Sequence, residues 1–281
     1  MISLTRTQQR ITENIVAELI LIGVSIVFII PLLWMISTSL KPASQVFTFP
    51  PQFIPNPPMW SDYLQVFQFV PFLLFVRNSL IIAVGDVVGV LLSCSLVAFS
   101  LSRLQWRGRD VVLIIVLATT MIPFQVTMVP VYMVFHWLNW IDTFLPLIVP
   151  AYFGNAFFIF MLRQFFMTLP NEIDDAARID GCSELGIFRL ISLPLIKPAL
   201  AAVALFAFLG SWNDLLGPVI YLNKPSLYTV MIGLQYFQGL YTSEWSQMMA
   251  AATMTTLPII VIFFLAQRTF VEGIALTGIR G

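Results

Sequence analysis

Six apolar stretches, each about as long as a membrane-spanning helix, divide the chain at polar intervals. About 20 apolar residues, at a rise of 1.5 Å per residue, cross the roughly 30 Å hydrocarbon core of a bilayer. The stretches run approximately over Leu19–Thr38, Ser79–Leu101, Val111–Phe135, Phe144–Leu162, Leu195–Leu216 and Met248–Ala266. With 59% apolar and only 10% charged residues, the composition is typical of a protein whose main solvent is lipid. The sequence therefore predicts an all-α membrane protein with six transmembrane helices.

The positions of lysine and arginine predict how the spans are oriented. If the N-terminus is cytoplasmic, eleven of the 14 basic residues lie on the cytoplasmic side, which is the side that such residues favour. The eleven are Arg6, Arg10, Arg103, Arg107, Arg109, Arg163, Arg178, Arg189, Lys197, Arg268 and Arg280, against Lys41, Arg77 and Lys224 outside. Both termini are therefore predicted to be cytoplasmic. Residues 1–18 form an N-terminal segment, 19–266 the six-span domain and 267–281 a C-terminal tail.

The cytoplasmic interval between the fourth and fifth spans, over residues 163–194, has a helical pattern of its own. Asn171 is a predicted N-cap, and acidic residues in the following turn complement the helix dipole. One predicted face of this first helix comprises Ile173, Ala176, Ala177 and Asp180. The pattern favours a short helix lying across the cytoplasmic mouth of the bundle.

A second short helix is predicted to follow a glycine turn. Gly181 suits the left-handed conformation that ends a helix, and Ser183 is placed to cap the next one. The apolar face of that second helix is predicted to contain Ile187, Leu190 and Ile191. Two short helices on a tight turn make a compact knob, and an ordinary amphipathic pair at the membrane interface is the alternative interpretation.

This interval resembles the signature loop of binding-protein-dependent ABC importer permeases, in which Glu-Ala-Ala is followed after three residues by Gly and then by a hydrophobic helix ending in Leu-Pro. The matching residues are Asp175, Ala176, Ala177, Asp180, Gly181, Phe188 and Pro194. Asp175 replaces the usual Glu, and Cys182 replaces the usual Ala after the glycine. The resemblance implies a pair of coupling helices that dock in a cleft of a separate ATPase subunit.

Segments along the rest of the chain are similar to the second permease subunit of maltose and glycerol-phosphate importers. They include VRNSLIIA, SWNDLLGPVIYL and QRTFVEGIALTGIRG. The resemblance implies the type I importer fold in a bacterial or archaeal cytoplasmic membrane, bounded by lipid. It also implies a second, different permease, a dimer of ATPase subunits, an extracytoplasmic solute-binding protein and a sugar-type substrate. The tail Gly278, Ile279, Arg280 and Gly281 is implied to reach between the ATPase subunits, with a frayed terminus as the alternative.

No enzymatic site is predicted in this chain. The sequence has neither the G-x-x-x-x-G-K-[ST] phosphate loop nor the G-x-G-x-x-G fingerprint, so ATP and Mg are expected in the partner ATPase, and no cofactor is expected here. Neither a Cys/His metal-binding spacing nor a hydrolase triad is present. The 14 basic residues equal the 14 acidic ones, which leaves no basic excess for a nucleic-acid partner.

Polar side chains inside predicted spans are candidate residues of a solute pathway, because they are expensive in lipid and usually face protein or water. They are Asp86, Gln125, Asn155, Trp212, Asn213 and Asp214. Trp212 with Asn213 and Asp214 suits a sugar face and its hydroxyls, or else helix capping beside an interfacial tryptophan. Asp86 lies between Gly85 and Gly89, a pattern that favours close packing of two helices over solute contact.

The sequence leaves four functional hypotheses open. An importer permease for a sugar or a related polyol or sugar phosphate agrees with the resemblance. An ABC importer for a peptide, amino acid or anion is the alternative within the same machinery. A secondary transporter is disfavoured because six spans without an inverted repeat are unusual for that class, and a scaffold without transport is the remaining possibility.

Overall fold

The computed structural model describes the backbone of residues 6–238 and 244–278, and the side chains of residues 14–238 and 244–267. Within these ranges the chain is helical and has no strand, which confirms the all-α prediction. Two compact units are formed. The first comprises residues up to Val70 together with Tyr236–Thr256, and the second comprises Pro71–Gln235 and the residues from Leu257 onward.

Fifteen α-helices occur in the described ranges. In chain order they are α1 (Arg6–Thr38), α2 (Ala43–Val46), α3 (Ser61–Phe69), α4 (Phe72–Arg103), α5 (Arg109–Thr119), α6 (Phe124–Trp137), α7 (Leu145–Ile148), α8 (Ala156–Thr168), α9 (Asn171–Ile179), α10 (Glu184–Gly186), α11 (Leu193–Leu195), α12 (Lys197–Trp212), α13 (Leu216–Tyr221), α14 (Val230–Gln235) and α15 (Trp245–Gly278). A 3-10 helix, Val149–Phe153, lies between α7 and α8, and a π-helix, Ile187–Ser192, lies between α10 and α11.

Four helical segments of the described chain are long and apolar enough to cross a membrane, and the number rises to six if two bent helix pairs each count as one span. The four are Asn14–Thr38, Phe72–Arg103, Leu145–Thr168 and Trp245–Gln267. They coincide with the first, second, fourth and sixth predicted spans. The remaining two predicted spans fall on the bent pairs.

The third predicted span, Val111–Phe135, is not one continuous helix. It consists of α5 and α6, which meet at a bend of 95°. Pro123 stands immediately before α6 in an extended conformation, with ψ of 138°. A proline has no N–H to continue the preceding helix, and its ring clashes with the turn before it. The fifth predicted span, Leu195–Leu216, is also corrected, because helix α12 begins at Lys197 and ends at Trp212.

Close packing of α4 against the segment before α8 organises the second unit. A Cβ atom on Gly89 would lie 2.6 Å from the ring of Tyr152, and one on Gly85 would lie 2.9 Å from Ile148. Only glycine allows this approach. The helix packing predicted for the segment around Asp86 is therefore confirmed.

The first unit is held together around a buried lysine. Lys41 is fully buried, and its Nζ lies 3.8 Å from the centre of the Trp34 ring in a cation–π contact. The Ser246 hydroxyl donates a hydrogen bond of 2.7 Å to the Lys41 carbonyl oxygen. These contacts fix the end of α1 against the start of α15. The proline-rich segment at residues 49–58 contains no helix, as its prolines predict.

Candidate coupling and translocation sites

Helix α9 begins one residue earlier than the capping pattern predicts. The N-cap position is occupied by Pro170, and no side chain caps the helix there, so the prediction of Asn171 as N-cap is wrong. Pro170 has an extended backbone with ψ of 139°, and Asn171 is the first helical residue. The acidic residues Glu172 and Asp174 do lie in the first turn, where they complement the helix dipole.

The turn after α9 follows the prediction closely. Gly181 has a φ of +79°, in the left-handed region that glycine adopts without strain. The Gly181 N–H donates to the Arg178 carbonyl at 3.0 Å, and the Cys182 N–H donates to that of Ala177 at 2.9 Å. Ser183 caps the second helix, because its hydroxyl oxygen accepts the Gly186 N–H at 3.2 Å. Both predictions for this turn are confirmed.

The predicted apolar face of the second helix is divided in the structure. It continues as the π-helix, whose hydrogen bonds run from i to i+5 and whose wider turn rotates the side chains away from an α-helical register. Ile187 and Phe188 are buried, and the Phe188 ring lies 5.2 Å from that of Phe99 on α4. Leu190, predicted to share one apolar face with Ile187, is 74% exposed whereas Ile187 is buried.

An exposed apolar surface remains on the pair formed by α9 and α10 with its π-helix. Ile179 is 86% exposed, and Leu185 and Leu190 are also exposed. Of the predicted first-helix face, only Ala177 is buried, whereas Ile173, Ala176 and Asp180 are exposed. We call Ile179, Leu185 and Leu190 together the knob surface. Exposed apolar side chains on two short helices suit an interaction site.

Arg178 ties the two short helices together across the turn. Its guanidinium lies 2.8 Å from Glu184 Oε1 and 2.9 Å from Asp175 Oδ1. Hydrogen bonding from Arg178 lowers the pKa of Glu184 below its usual range. Asp175 is the acidic residue of the signature loop, and in this structure its partner is Arg178. Pro194 lies in α11, near the entry to α12, and is exposed.

A buried arginine anchors α9 to the rest of the second unit. Arg103, the last residue of α4, forms an ion pair of 2.6 Å between its Nε and Asp174 Oδ2, and both side chains are at most 5% exposed. The same guanidinium donates to the carbonyl oxygens of Leu169 at 2.9 Å, Pro170 at 3.0 Å and Phe166 at 3.3 Å. These acceptors lie at the C-terminal end of α8, where carbonyls lack helical partners. One side chain thus binds α4, α8 and α9 together.

A cavity of about 510 Å³ in the second unit brings together three of the predicted pathway residues. Asp86 from α4, Asn155 before α8 and Asp214 after α12 all line it. Asn155 also caps α8, because its Oδ1 accepts the N–H groups of Phe157 at 3.0 Å and Phe158 at 3.2 Å. Asp214 accepts the Gly217 N–H at 3.1 Å. Asp86 therefore lines a cavity as well as lying at the close helix packing.

The other predicted pathway residues lie outside this cavity. Trp212 is 1% exposed and its ring stacks on that of Phe208 at 5.4 Å, so its faces are covered by protein. Asn213 follows the end of α12, where its side chain donates to the Leu209 carbonyl at 2.9 Å. Gln125 is exposed in the first turn of α6. Of the C-terminal tail, Gly278 is the last residue of α15, and residues 279–281 lie outside the described residues.

Comparisons with known proteins identify the family. The sequence profile of the family described as binding-protein-dependent transport system inner membrane component matches residues 87–275, which include both the helix pair and most of the cavity lining. This chain belongs to that family. It is therefore a membrane permease of transport systems, and the recognition made from the signature loop is confirmed.

Similar proteins include permeases of known transport systems. The permease is 33% identical over 97% of its length to all of an arabinooligosaccharides transport system permease protein of Halalkalibacterium halodurans. It is 34% identical over 82% of its length to 85% of the sn-glycerol-3-phosphate transport system permease protein of Yersinia pestis. A bacterial ABC transporter that imports the acidic polysaccharide alginate has a similar fold, with a TM-score of 0.80 and 23% identity over 96% of this chain and all of that one.

The contact that sequence reasoning missed is the one between Arg103 and Asp174. In the sequence, Arg103 is one of several basic residues predicted to be cytoplasmic, and Asp174 is one of the charges in the first turn of the predicted helix. The two are 71 positions apart, so no local spacing rule connects them. The one available signal is that Arg103 follows the apolar stretch ending at Leu101 with only Ser102 between them.

Proposed function

We propose that this permease forms half of the pathway by which an ATP-driven, binding-protein-dependent importer carries a sugar or a related polyol or sugar phosphate. A second, different permease supplies the other half. Two ATPase subunits bind and hydrolyse ATP with Mg, and a solute-binding protein delivers the solute from outside. The chain lies in the cytoplasmic membrane with both termini inside, and its own residues bind no nucleotide.

The observation that carries this proposal is the knob surface on a helix pair whose first helix is held to α4 by the ion pair of Arg103 with Asp174. Ile179, Leu185 and Leu190 are exposed on two helices joined by the Gly181 turn, while Asp174 and Ala177 on the opposite side are buried. An exposed apolar surface on a firmly held support is suited to docking in a cleft of a partner. The signature residues Asp175 and Ala176 lie on the exposed side of the same helix.

Arg103 gives this docking surface a physical route to the cavity. The guanidinium binds the cytoplasmic ends of α4 and α8 as well as α9. Asp86 lies on α4 about 26 Å along the helix axis from Arg103, and Asn155 precedes the opposite end of α8. A displacement of α9 by the ATPase therefore moves two helices that carry cavity-lining residues. Such a displacement is the movement that alternating access requires.

The sugar part of the proposal is supported by the relatives and by the chemistry of the cavity. Carboxylate and carboxamide side chains at Asp86, Asn155 and Asp214 offer hydrogen-bond acceptors and donors of the kind that hydroxyl groups use. The C-terminal tail from Gly278 to Gly281 is proposed to add a second contact with the ATPase subunits.

Reconstitution tests the proposal directly. The permease, its partner permease and the ATPase subunits are placed in liposomes with internal ATP, and uptake of labelled arabinotriose and maltotriose is measured in the presence of the solute-binding protein. Uptake is expected to require both ATP and the binding protein. Uptake by the chain without the ATPase, driven by an ion gradient, would contradict the importer assignment. ATP-dependent uptake restricted to amino acids or peptides would contradict the sugar assignment alone.

A further inference from the structure

A second cavity, in the first unit, is not part of the helix pair or of the cavity at Asp86. Its volume is about 550 Å³, and its walls come from α2, α3 and the start of α15. Its polar lining residues are Asp62, Gln65, Glu244, Ser246 and Gln247, and its aromatic ones are Phe47 and Trp245. All of these residues belong to segments predicted to lie on the outer side of the membrane or at its outer boundary.

The polar groups of this cavity are mainly hydrogen-bond acceptors. Asp62 is only 7% exposed, and Glu244 adds a second carboxylate. Burial raises the pKa of Asp62, a hydrogen bond from Ser61 opposes this effect, and the negative charge of Glu244 reinforces it. Both carboxylates can accept hydrogen bonds from a ligand rich in donors.

The carboxamide pair contains an acceptor without a donor. Gln247 Nε2 donates to Gln65 Oε1 at 2.8 Å, and the Gln65 amino group can donate in turn to a ligand. Gln247 Oε1 is buried and has no hydrogen-bond donor among the described residues. A buried acceptor without a donor is unfavourable, and a hydroxyl group on a bound molecule would supply the missing donor.

Aromatic side chains complete the chemistry of the cavity. The rings of Trp245 and Phe47 pack edge to face, with their centres 5.7 Å apart. An aromatic wall beside carboxylates and carboxamides suits a sugar, whose C–H face packs on a ring while its hydroxyls donate at the edge.

The two cavities share an electrostatic property that decides between solute classes. Among the described residues, those lining the first-unit cavity include two carboxylates and no lysine or arginine, and the same is true of the cavity that holds Asp86 and Asp214. A phosphate, sulfonate or uronate group has no cation to pair with in either lining, and like charges repel it. Hydroxyl groups meet no such barrier.

We propose that the first-unit cavity is a binding subsite for a neutral, hydroxyl-rich solute, and that the permease discriminates against anionic solutes. This inference rests on the proposed sugar-importing function and narrows its substrate class. The sugar phosphates allowed by the family resemblance are excluded.

The test uses the importer assembled in lipid nanodiscs from both permeases and the ATPase subunits, without the binding protein. Saturation-transfer NMR measures contact with arabinotriose and maltotriose as neutral probes and with glycerol-3-phosphate as the anionic probe. Wild type is expected to contact a neutral probe and not the anion. Gln65→Ala is expected to weaken the neutral contact about five- to tenfold, as loss of one or two hydrogen bonds does. Gln68→Ala is the matched control, because Gln68 is exposed on the same helix and does not line the cavity.

A charge reversal tests the selectivity at an exposed position. Glu244→Lys is expected to admit glycerol-3-phosphate, because it replaces one of the two carboxylates by a cation. Equal contact of wild type with neutral and anionic probes would overturn the inference, and so would an unchanged neutral signal in Gln65→Ala. Docking of the binding protein to the same variants is measured separately. If the variants weaken only that docking and leave the neutral contact unchanged, the cavity receives a basic side chain of the binding protein, and the subsite proposal is wrong. If these tests fail while the importer still takes up sugar with ATP, the subsite inference is wrong and the proposed function stands. If the wild-type importer takes up no sugar at all, the proposed function itself is contradicted.

Discussion

Arg103→Met is expected to lower the free energy of unfolding by about 3–5 kcal/mol, because it leaves Asp174 buried without its partner. Three carbonyl oxygens, those of Phe166, Leu169 and Pro170, lose their donor as well. The change is measured by denaturant unfolding of the purified permease in detergent. Arg107→Met is the control, because Arg107 is exposed four positions further along the chain, and its effect is expected to stay within about 0.5 kcal/mol.

A double variant separates stability from transmission. Arg103→Met combined with Asp174→Leu removes both charges, so much of the lost stability is expected to return. Uptake per ATP hydrolysed is expected to be low in both the single and the double variant, because in both α9 has no bond to the end of α4. Normal coupling in a stable double variant would show that the ion pair only stabilises the fold and does not transmit movement.

Gly181→Pro is expected to uncouple ATP hydrolysis from uptake, with at least about a tenfold fall in solute transported per ATP if the misplaced helix loses about 1.4 kcal/mol of docking energy. Proline holds φ near −65°, whereas this position has a φ of +79°, and the substitution also removes the N–H that bonds to Arg178. The two short helices then lose their relative orientation, while the apolar spans are unchanged. ATPase activity and uptake are measured together in proteoliposomes.

Gly181→Asn is the matched control for this turn. Asparagine tolerates the left-handed conformation better than other residues with side chains, and a Cβ at this position meets no atom within 4 Å. Coupling in Gly181→Asn is expected to be close to that of wild type. If both substitutions uncouple ATP hydrolysis from uptake equally, or if neither does, a role for the backbone conformation of this turn is contradicted.

Local rules predicted the features that depend on local chemistry. The left-handed turn at Gly181 and the cap at Ser183 follow from residue types within a few positions of each other, and both are confirmed. The cap at Asn171 was predicted wrongly because Pro170, which also favours an extended backbone before a helix, occupies the N-cap position. Two rules competed over adjacent residues, and the sequence alone did not rank them.

Features that depend on distant contacts or on irregular helices were not predictable. The ion pair of Arg103 with Asp174 joins residues from separate helices, so only the folded chain shows it. Leu190 is exposed on the π-helix, although an α-helical pattern places it on one face with the buried Ile187. The 95° bend between α5 and α6 was not predicted, because the sequence is apolar on both sides of it and so indicates one continuous span. Pro123 lies at the bend.

Polar residues in apolar spans were identified correctly as unusual, but their roles could not be assigned from sequence. Asp86, Asn155 and Asp214 meet at one cavity because α4, α8 and α12 pack together. Trp212 is covered by Phe208 on the same helix, four positions earlier. That spacing is visible in the sequence and favours stacking of the two rings within the helix.

Cross-linking from Ile179 tests most directly whether the ATPase docks on the knob surface. Ile179→Cys is made together with Cys182→Ala, because Cys182 is partly exposed in the same turn and would also react. Gln105→Cys is the control, because Gln105 is exposed on the predicted cytoplasmic side between α4 and α5 and lies outside the helix pair. In the assembled importer, the introduced thiol of the Ile179→Cys variant is labelled with a maleimide that carries a short photoactivatable diazirine arm. Illumination is expected to link this arm to an ATPase subunit, with a yield that changes when ATP is added, and to leave the Gln105→Cys variant unlinked. Failure of the Ile179→Cys variant to cross-link in an importer that hydrolyses ATP and takes up solute would contradict docking at this surface.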